Sequence, residues 1–183
     1  DEQADLGTLV DVDSMGLTEL ADHIEATHHA YLREELPRLD AMTEKVARVH
    51  GDKDERLFKM RQAFVALKAE LEPHMMKEEM VLFPYIQKLA YAAANHHQVA
   101  YPPFGTVQHP VSMMNVEHEE VGELLAKMRE ITNDYKLPDG ACPSFTALFH
   151  RLGEFERDLH QHIHLENNLL FPRAIELEQN ARA

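Results

Sequence analysis

An all-α protein, with four helices packed up-down-up-down into one bundle, is expected from three features of this chain. Glycine is sparse at 7 of 183 residues, tryptophan is absent, and leucine and methionine stand among runs of Glu, Lys, Arg and Ala, which favours helix over sheet. Four apolar stripes advance in steps of three and four residues, each long enough for a bundle helix. Turn-forming residues separate the stripes. At this length one domain is the default, with residues 1–16 as an N-terminal tail and residues 17–180 as the bundle.

The first stripe runs Leu17, Leu20, Ile24, Leu32, Leu36, Leu39, Val46, with Thr18 as a weak cap and Pro37 expected to kink the helix. His50-Gly51-Asp52-Lys53 then reads as a tight helix–helix connection. The second stripe reads Leu57, Met60, Phe64, Leu67, Leu71, then His74 and Glu78, then Val81, Tyr85 and Leu89. A stretch from about Asn95 to Pro110, with Pro102, Pro103 and Gly105, reads as an irregular crossover. The third stripe is Val111, Met114, His118, Val121, Leu125, Met128, and Leu137-Pro138-Asp139-Gly140 closes it with a second tight turn. The fourth is Leu148, Leu152, Phe155, Leu159, His162, Glu166, Leu169. In the last three stripes, polar residues stand where the apolar stepping reserves a place for the core.

The formal net charge of −14 disfavours nucleic acid and anionic membrane surfaces as partners, because both would repel it. Cys142 is the single cysteine, so no intrachain disulfide can form, and reducing cytosol is the simplest compartment. No apolar run approaches transmembrane length, and the acidic residues 1–16 do not read as a secretory signal.

An internal repeat carries the chemistry. The segment His74 to Pro84 recurs as His162 to Pro172, each with His-x-x-x-Glu followed by Leu-Phe-Pro. Four residues is about one helical turn, so the His and Glu of each copy share a face and can reach one metal cluster. Heights agree as well. In an antiparallel pair, residues equidistant from the turn are level; His29 and His74 lie 22 and 23 residues either side of Gly51, and His118 and His162 lie 22 either side of Gly140. One histidine per helix thus falls at one level, joined by Glu78 and Glu166. Unpaired, six such groups would be costly to bury, and a pair of divalent metals removes that cost. Bridging by both glutamates would give each metal two nitrogens and two oxygens and leave open positions. Nitrogen and oxygen donors without thiolate suit iron, manganese or zinc.

These residues resemble the hemerythrin-like HHE family, and more closely the repair-of-iron-centres proteins. The resemblance covers His29 with Arg33-Glu34-Glu35-Leu36-Pro37, Val49-His50, His74 to Pro84, Glu117-His118-Glu119 and His162 to Pro172, nearly the whole chain from Leu17 onward. It implies a hemerythrin-like bundle, two iron ions bridged by oxo and carboxylate groups, and restoration of iron–sulfur centres damaged by nitric oxide or peroxide. Damaged iron–sulfur proteins are then the partners, with small diatomic ligands as a second class. Oxygen-carrying hemerythrins use five histidines, and only four are placed here, which argues against reversible oxygen carriage.

The expected ligands are therefore His29, His74, His118 and His162, terminal, with Glu78 and Glu166 bridging. Glu70 and Asp158, each four residues before a ligand histidine, and Glu117, beside His118, are expected either to orient an imidazole from behind or to be ordinary surface acids. His50, about 31 Å along the helix from His29, reads as a helix C-terminal residue rather than a ligand. His28, His160 and His164 are expected on the surface, His96, His97 and His109 in a solvated loop, and Met75, Met76, Met113 and Met114 in the bundle packing. No catalytic residue is assigned. The functional expectation is stress-linked iron donation, with a di-iron enzyme reducing nitric oxide or oxygen, and a sensor or storage module, as rivals.

Overall fold

The computed structural model describes residues 10–182, and among them four long helices and no strand are formed. Helix 1 spans residues 17–50, helix 2 residues 56–94, helix 3 Gln108–Thr132 and helix 4 residues 143–182; a short 3-10 turn, Val12–Ser14, precedes them. Helix 1 begins after Gly16, without a side-chain cap, so Thr18 does not serve as one. Pro37 lies inside the α-helical segment Ala30–His50. Pro110 falls in the first turn of helix 3 rather than in the crossover, at a position where the missing N–H has no helical partner to lose. No helix among the described residues is long and apolar enough to cross a membrane.

The two connections expected to be tight differ: residues 51–55 link helices 1 and 2 closely, whereas residues 133–142, twice as many, link helices 3 and 4. At Gly51 the backbone is ordinary right-handed helix, and glycine is required by space: a Cβ there would run into the Phe58 ring and the Ala47 carbonyl. The second turn is left-handed instead, with positive φ at Asn133, Asp134, Tyr135 and again at Gly140. Cys142 opens helix 4, its sulfur accepting from the Phe145 amide at 3.4 Å.

Two separate apolar clusters fill the bundle. One, toward the tight turns, is built from Leu36, Leu39, Phe64, Leu125, Leu152 and Phe155 among others. The other, toward the open end, holds Leu20, Ile24, Phe83, Ile86, Val111 and Phe171. The polar residues of the stripes occupy the band between them, sealed on both sides by hydrocarbon.

The crossover is tied down by Glu178 of helix 4, which is buried. It accepts hydrogen bonds from Tyr85 Oη (2.6 Å), Thr106 Oγ1 (2.5 Å) and the Val107 amide (3.1 Å), and pairs with Arg182 (2.9 Å). Glu178→Ala strands several buried donors, so a loss of about 3 kcal/mol in equilibrium denaturation is expected. Metal content should not change, because Glu178 donates nothing to the polar band.

Candidate metal centre

Three of the four helices depart from α geometry at the level of the polar band. Residues Glu25–His29, Glu78–Leu82 and Glu166–Leu170 form wide turns. Their hydrogen bonds skip one extra residue: the Ala30, Phe83 and Phe171 amides reach the carbonyls of Glu25, Glu78 and Glu166. In helices 2 and 4 a local cause is visible. Pro84 and Pro172 lack the N–H that would bond the carbonyls of Met80 and Asn168, and their rings would clash with those carbonyls in a regular helix. The Leu-Phe-Pro of each repeat is therefore the sequence signal of the wide turn. Such turns are frequently found at functional sites, and here they carry His29, Glu78 and Glu166.

All six predicted donors are brought together and buried; Glu78 and Glu166 have no exposed surface. They divide into two groups that could each hold a metal ion: His29, His162, Glu78 and Glu166, and His74, His118, Glu78 and Glu166. In the first, His29 Nε2 lies 3.1 Å from His162 Nε2 and 3.2 Å from Glu78 Oε2, and His162 Nε2 lies 2.8 Å from Glu166 Oε1. In the second, His74 Nε2 lies 3.1 Å from His118 Nε2 and 3.2 Å from Glu78 Oε1, and His118 Nε2 lies 3.0 Å from Glu166 Oε2. Each carboxylate thus turns one oxygen to each histidine pair.

These separations fit a metal pair. Adjacent donors around one octahedral ion with bonds of about 2.1 Å are roughly 3 Å apart. Both oxygens of Glu78 and Oε2 of Glu166 are buried without a hydrogen-bond partner of acceptable geometry among the described residues. Three carboxylate oxygens without a hydrogen bond, in a band sealed by hydrocarbon, are expensive unless a cation meets them, either a metal ion or a protonated imidazole.

The charges interact strongly. Burial alone would lower the pKa of His74, but the charge and close approach of Glu78, with Glu166 and Glu117, together raise it to about 9. His29 is raised for the same reasons: burial opposes, and Glu78, Glu166 and Glu79 prevail. Glu166 sits well below the carboxylate range although burial pushes it up, because His162 and His118 flank it. A raised histidine pKa stabilises the fold fully below about 6.5, and that contribution disappears as pH rises through about 9. Metal-free protein should therefore lose thermal stability across that interval. Metal uptake, which needs neutral imidazoles, should release protons and tighten over the same range; both follow from melting curves and pH-stat titration.

Behind the donors the picture differs from the sequence expectation in part. Glu117 is where an orienting acid was expected, with Oε2 2.7 Å from His74 Nδ1 and Lys77 on its other oxygen. Its own pKa is lowered: burial opposes, and the Lys77 and His74 hydrogen bonds outweigh it. Asp158 meets His28 Nδ1 at 3.0 Å and not His162. Glu70 is exposed and hydrogen-bonds no imidazole among the described residues, because Leu67 and Leu71 take the buried face above His74.

Two acceptors escaped sequence reasoning: Glu79, 2.7 Å from His29 Nδ1 and paired with Arg33, and Asn167, whose Oδ1 is 2.8 Å from His118 Nδ1. Both directly follow the repeat glutamates, and that shared position was the available signal. His28 is buried, against the expectation of a surface residue, and its ring stacks on His162 at 5.4 Å. The wide turn at Glu25–His29 rotates less per residue than a regular helix, which keeps both histidines inside. His50 Nε2 lies 3.1 Å from Cys142 Sγ, at the turn end of the bundle. His160, His164, His96, His97 and His109 are exposed. Met75 and Met114 are buried as expected, whereas Met76 and Met113 are exposed.

The hemerythrin HHE cation binding domain matches residues 20–174. The iron-sulfur cluster repair protein YtfE of Yersinia pseudotuberculosis (serotype O:1b) is 41% identical over 159 residues, 87% of this chain and 66% of that protein. A probable iron-sulfur cluster repair protein of Haemophilus influenzae is 38% identical over 162 residues, 88% of this chain and 67% of that protein. The chain thus spans about two thirds of the length of these relatives.

Proposed function

The chain belongs to the hemerythrin HHE cation-binding family, and on that footing we propose that it is a non-haem di-iron protein that restores iron–sulfur centres after nitrosative or oxidative damage, acting as an iron donor. The unit we assign to this role is the bundle of residues 17–180. His29 and His162 would hold one ion and His74 and His118 the other, with Glu78 and Glu166 shared between them. One observation carries the reading: each of the two glutamates offers one oxygen to each histidine pair.

Iron is preferred over manganese and zinc because the relatives named above are named for iron–sulfur cluster repair. Iron in this role is cargo, and the donor set suits release. No thiolate would hold it, since the donors are imidazole nitrogens and carboxylate oxygens alone. Glu79 and Glu117 orient His29 and His74 through their Nδ1 atoms, and Arg33 and Lys77 hold those acids in place. The targets we assign are damaged iron–sulfur proteins in the cytosol.

The test is transfer of isotope-labelled iron from the loaded protein to an apo iron–sulfur protein. Cluster assembly faster than with an equal amount of free iron is the expected outcome. No gain over free iron, together with steady turnover of nitric oxide when an electron donor is supplied, would replace the donor with an enzyme.

A further inference from the structure

The two halves of the bundle repeat each other, but not completely. Glu79 and Asn167 occupy the same repeat position, and each meets the Nδ1 of the histidine on the preceding helix. Glu117 and His28 are also counterparts, since each directly precedes a donor histidine, His118 or His29. Glu117 reaches across to His74 Nδ1 at 2.7 Å. In the other half His28 cannot do the same for His162. Its Nδ1 is taken by Asp158 at 3.0 Å, and its ring lies nearly parallel to that of His162, with 10° between the planes. As a result His162 Nδ1 is buried without a hydrogen-bond partner, and so is His28 Nε2.

From this asymmetry we infer that the ion held between His29 and His162 is the exchangeable member of the pair, and that His28 is the positioning residue that makes it so. The inference rests on the two-ion reading above and adds which ion is given up. An acceptor on the far nitrogen fixes the ring and raises its basicity, and losing one weakens metal binding about 10–100-fold. The His74 and His118 pair has two such acceptors, Glu117 and Asn167. The His29 and His162 pair has one, Glu79. Stacking on His28 leaves the His162 ring located but its N–H unanswered, so this pair binds its ion less firmly.

The test is release of ferrous iron from anaerobically loaded protein into excess chelator, followed by absorbance. Two phases of equal amplitude are expected, separated roughly 10–100-fold in rate. His28→Gln has the reach of Glu117. Its amide can donate to Asp158 and accept from His162, so the fast phase should slow about tenfold while the slow phase stays put. Asn167 is exposed, and Asn167→Ala removes the acceptor from His118 without disturbing the core, so the slow phase should quicken toward the fast one. Two ions leaving in a single phase, or a fast phase indifferent to His28→Gln, would overturn the asymmetry while leaving the two-ion site standing. Uptake of fewer than two ions would overturn the site itself.

Discussion

Glu166→Ala should deprive the protein of both ions at once. One carboxylate oxygen faces His162 and the other His118, so a single substitution removes a donor from each position and the link between them. Metal analysis after iron loading is expected to fall from two ions to fewer than one per chain. The melting temperature should fall with it and should not recover when iron is added. Glu166→Gln separates the charge from the shape: the amide fills the same space, and a similar loss of metal with a smaller loss of metal-free stability is expected. His74→Ala should lose metal in the same manner. His50→Ala, at the turn end of the bundle, should keep both ions, since its contact is with Cys142.

Removing metal from the unaltered protein is the second large effect. An ion present at a thousandfold excess over its dissociation constant stabilises the fold by about 4 kcal/mol, so two together contribute about 8 kcal/mol. At about 2–4 °C per kcal/mol for a chain of this size, chelation should lower the melting temperature by roughly 20 °C. The metal-free protein is still expected to fold. Charged imidazoles and carboxylates then pair with one another across the band, which is why His74 is raised to about 9 and Glu166 lies well below its usual range. Calorimetry with and without chelator at pH 7 checks the size of the shift, and a change of less than about 3 °C would contradict it.

Much of this arrangement was legible in the sequence. Apolar steps gave four helices, and equal distances from Gly51 and Gly140 gave the common height at which the four histidines meet. The repeat supplied Glu78 and Glu166. What stayed hidden follows from the wide turns. A backbone hydrogen bond that skips one extra residue leaves no trace in hydrophobic periodicity; a regular helix would turn His28 toward water, and the wide turn keeps it inside. The contacts of Glu79 and Asn167 cross between helices, and no spacing along one helix reports them. Glu70 misled for the opposite reason: a four-residue offset from His74 puts it one turn away, but Leu67 and Leu71 define the buried face there and leave Glu70 outside.

Glu178 illustrates another limit. Its partners Tyr85, Thr106 and Val107 lie on a different helix and in the crossover. A lone glutamate near the end of an acidic, surface-rich helix gives no sign of being buried. Only the return of helix 4 along helix 2 brings it beneath the loop.

X-ray absorption at the iron edge on freshly loaded protein, combined with a metal count, tests whether two irons share the polar band. Two irons per chain are expected, with nitrogen and oxygen neighbours that include imidazole, no sulfur, and a second iron close enough to share carboxylates. A single iron per chain, or sulfur in the first shell, would contradict this.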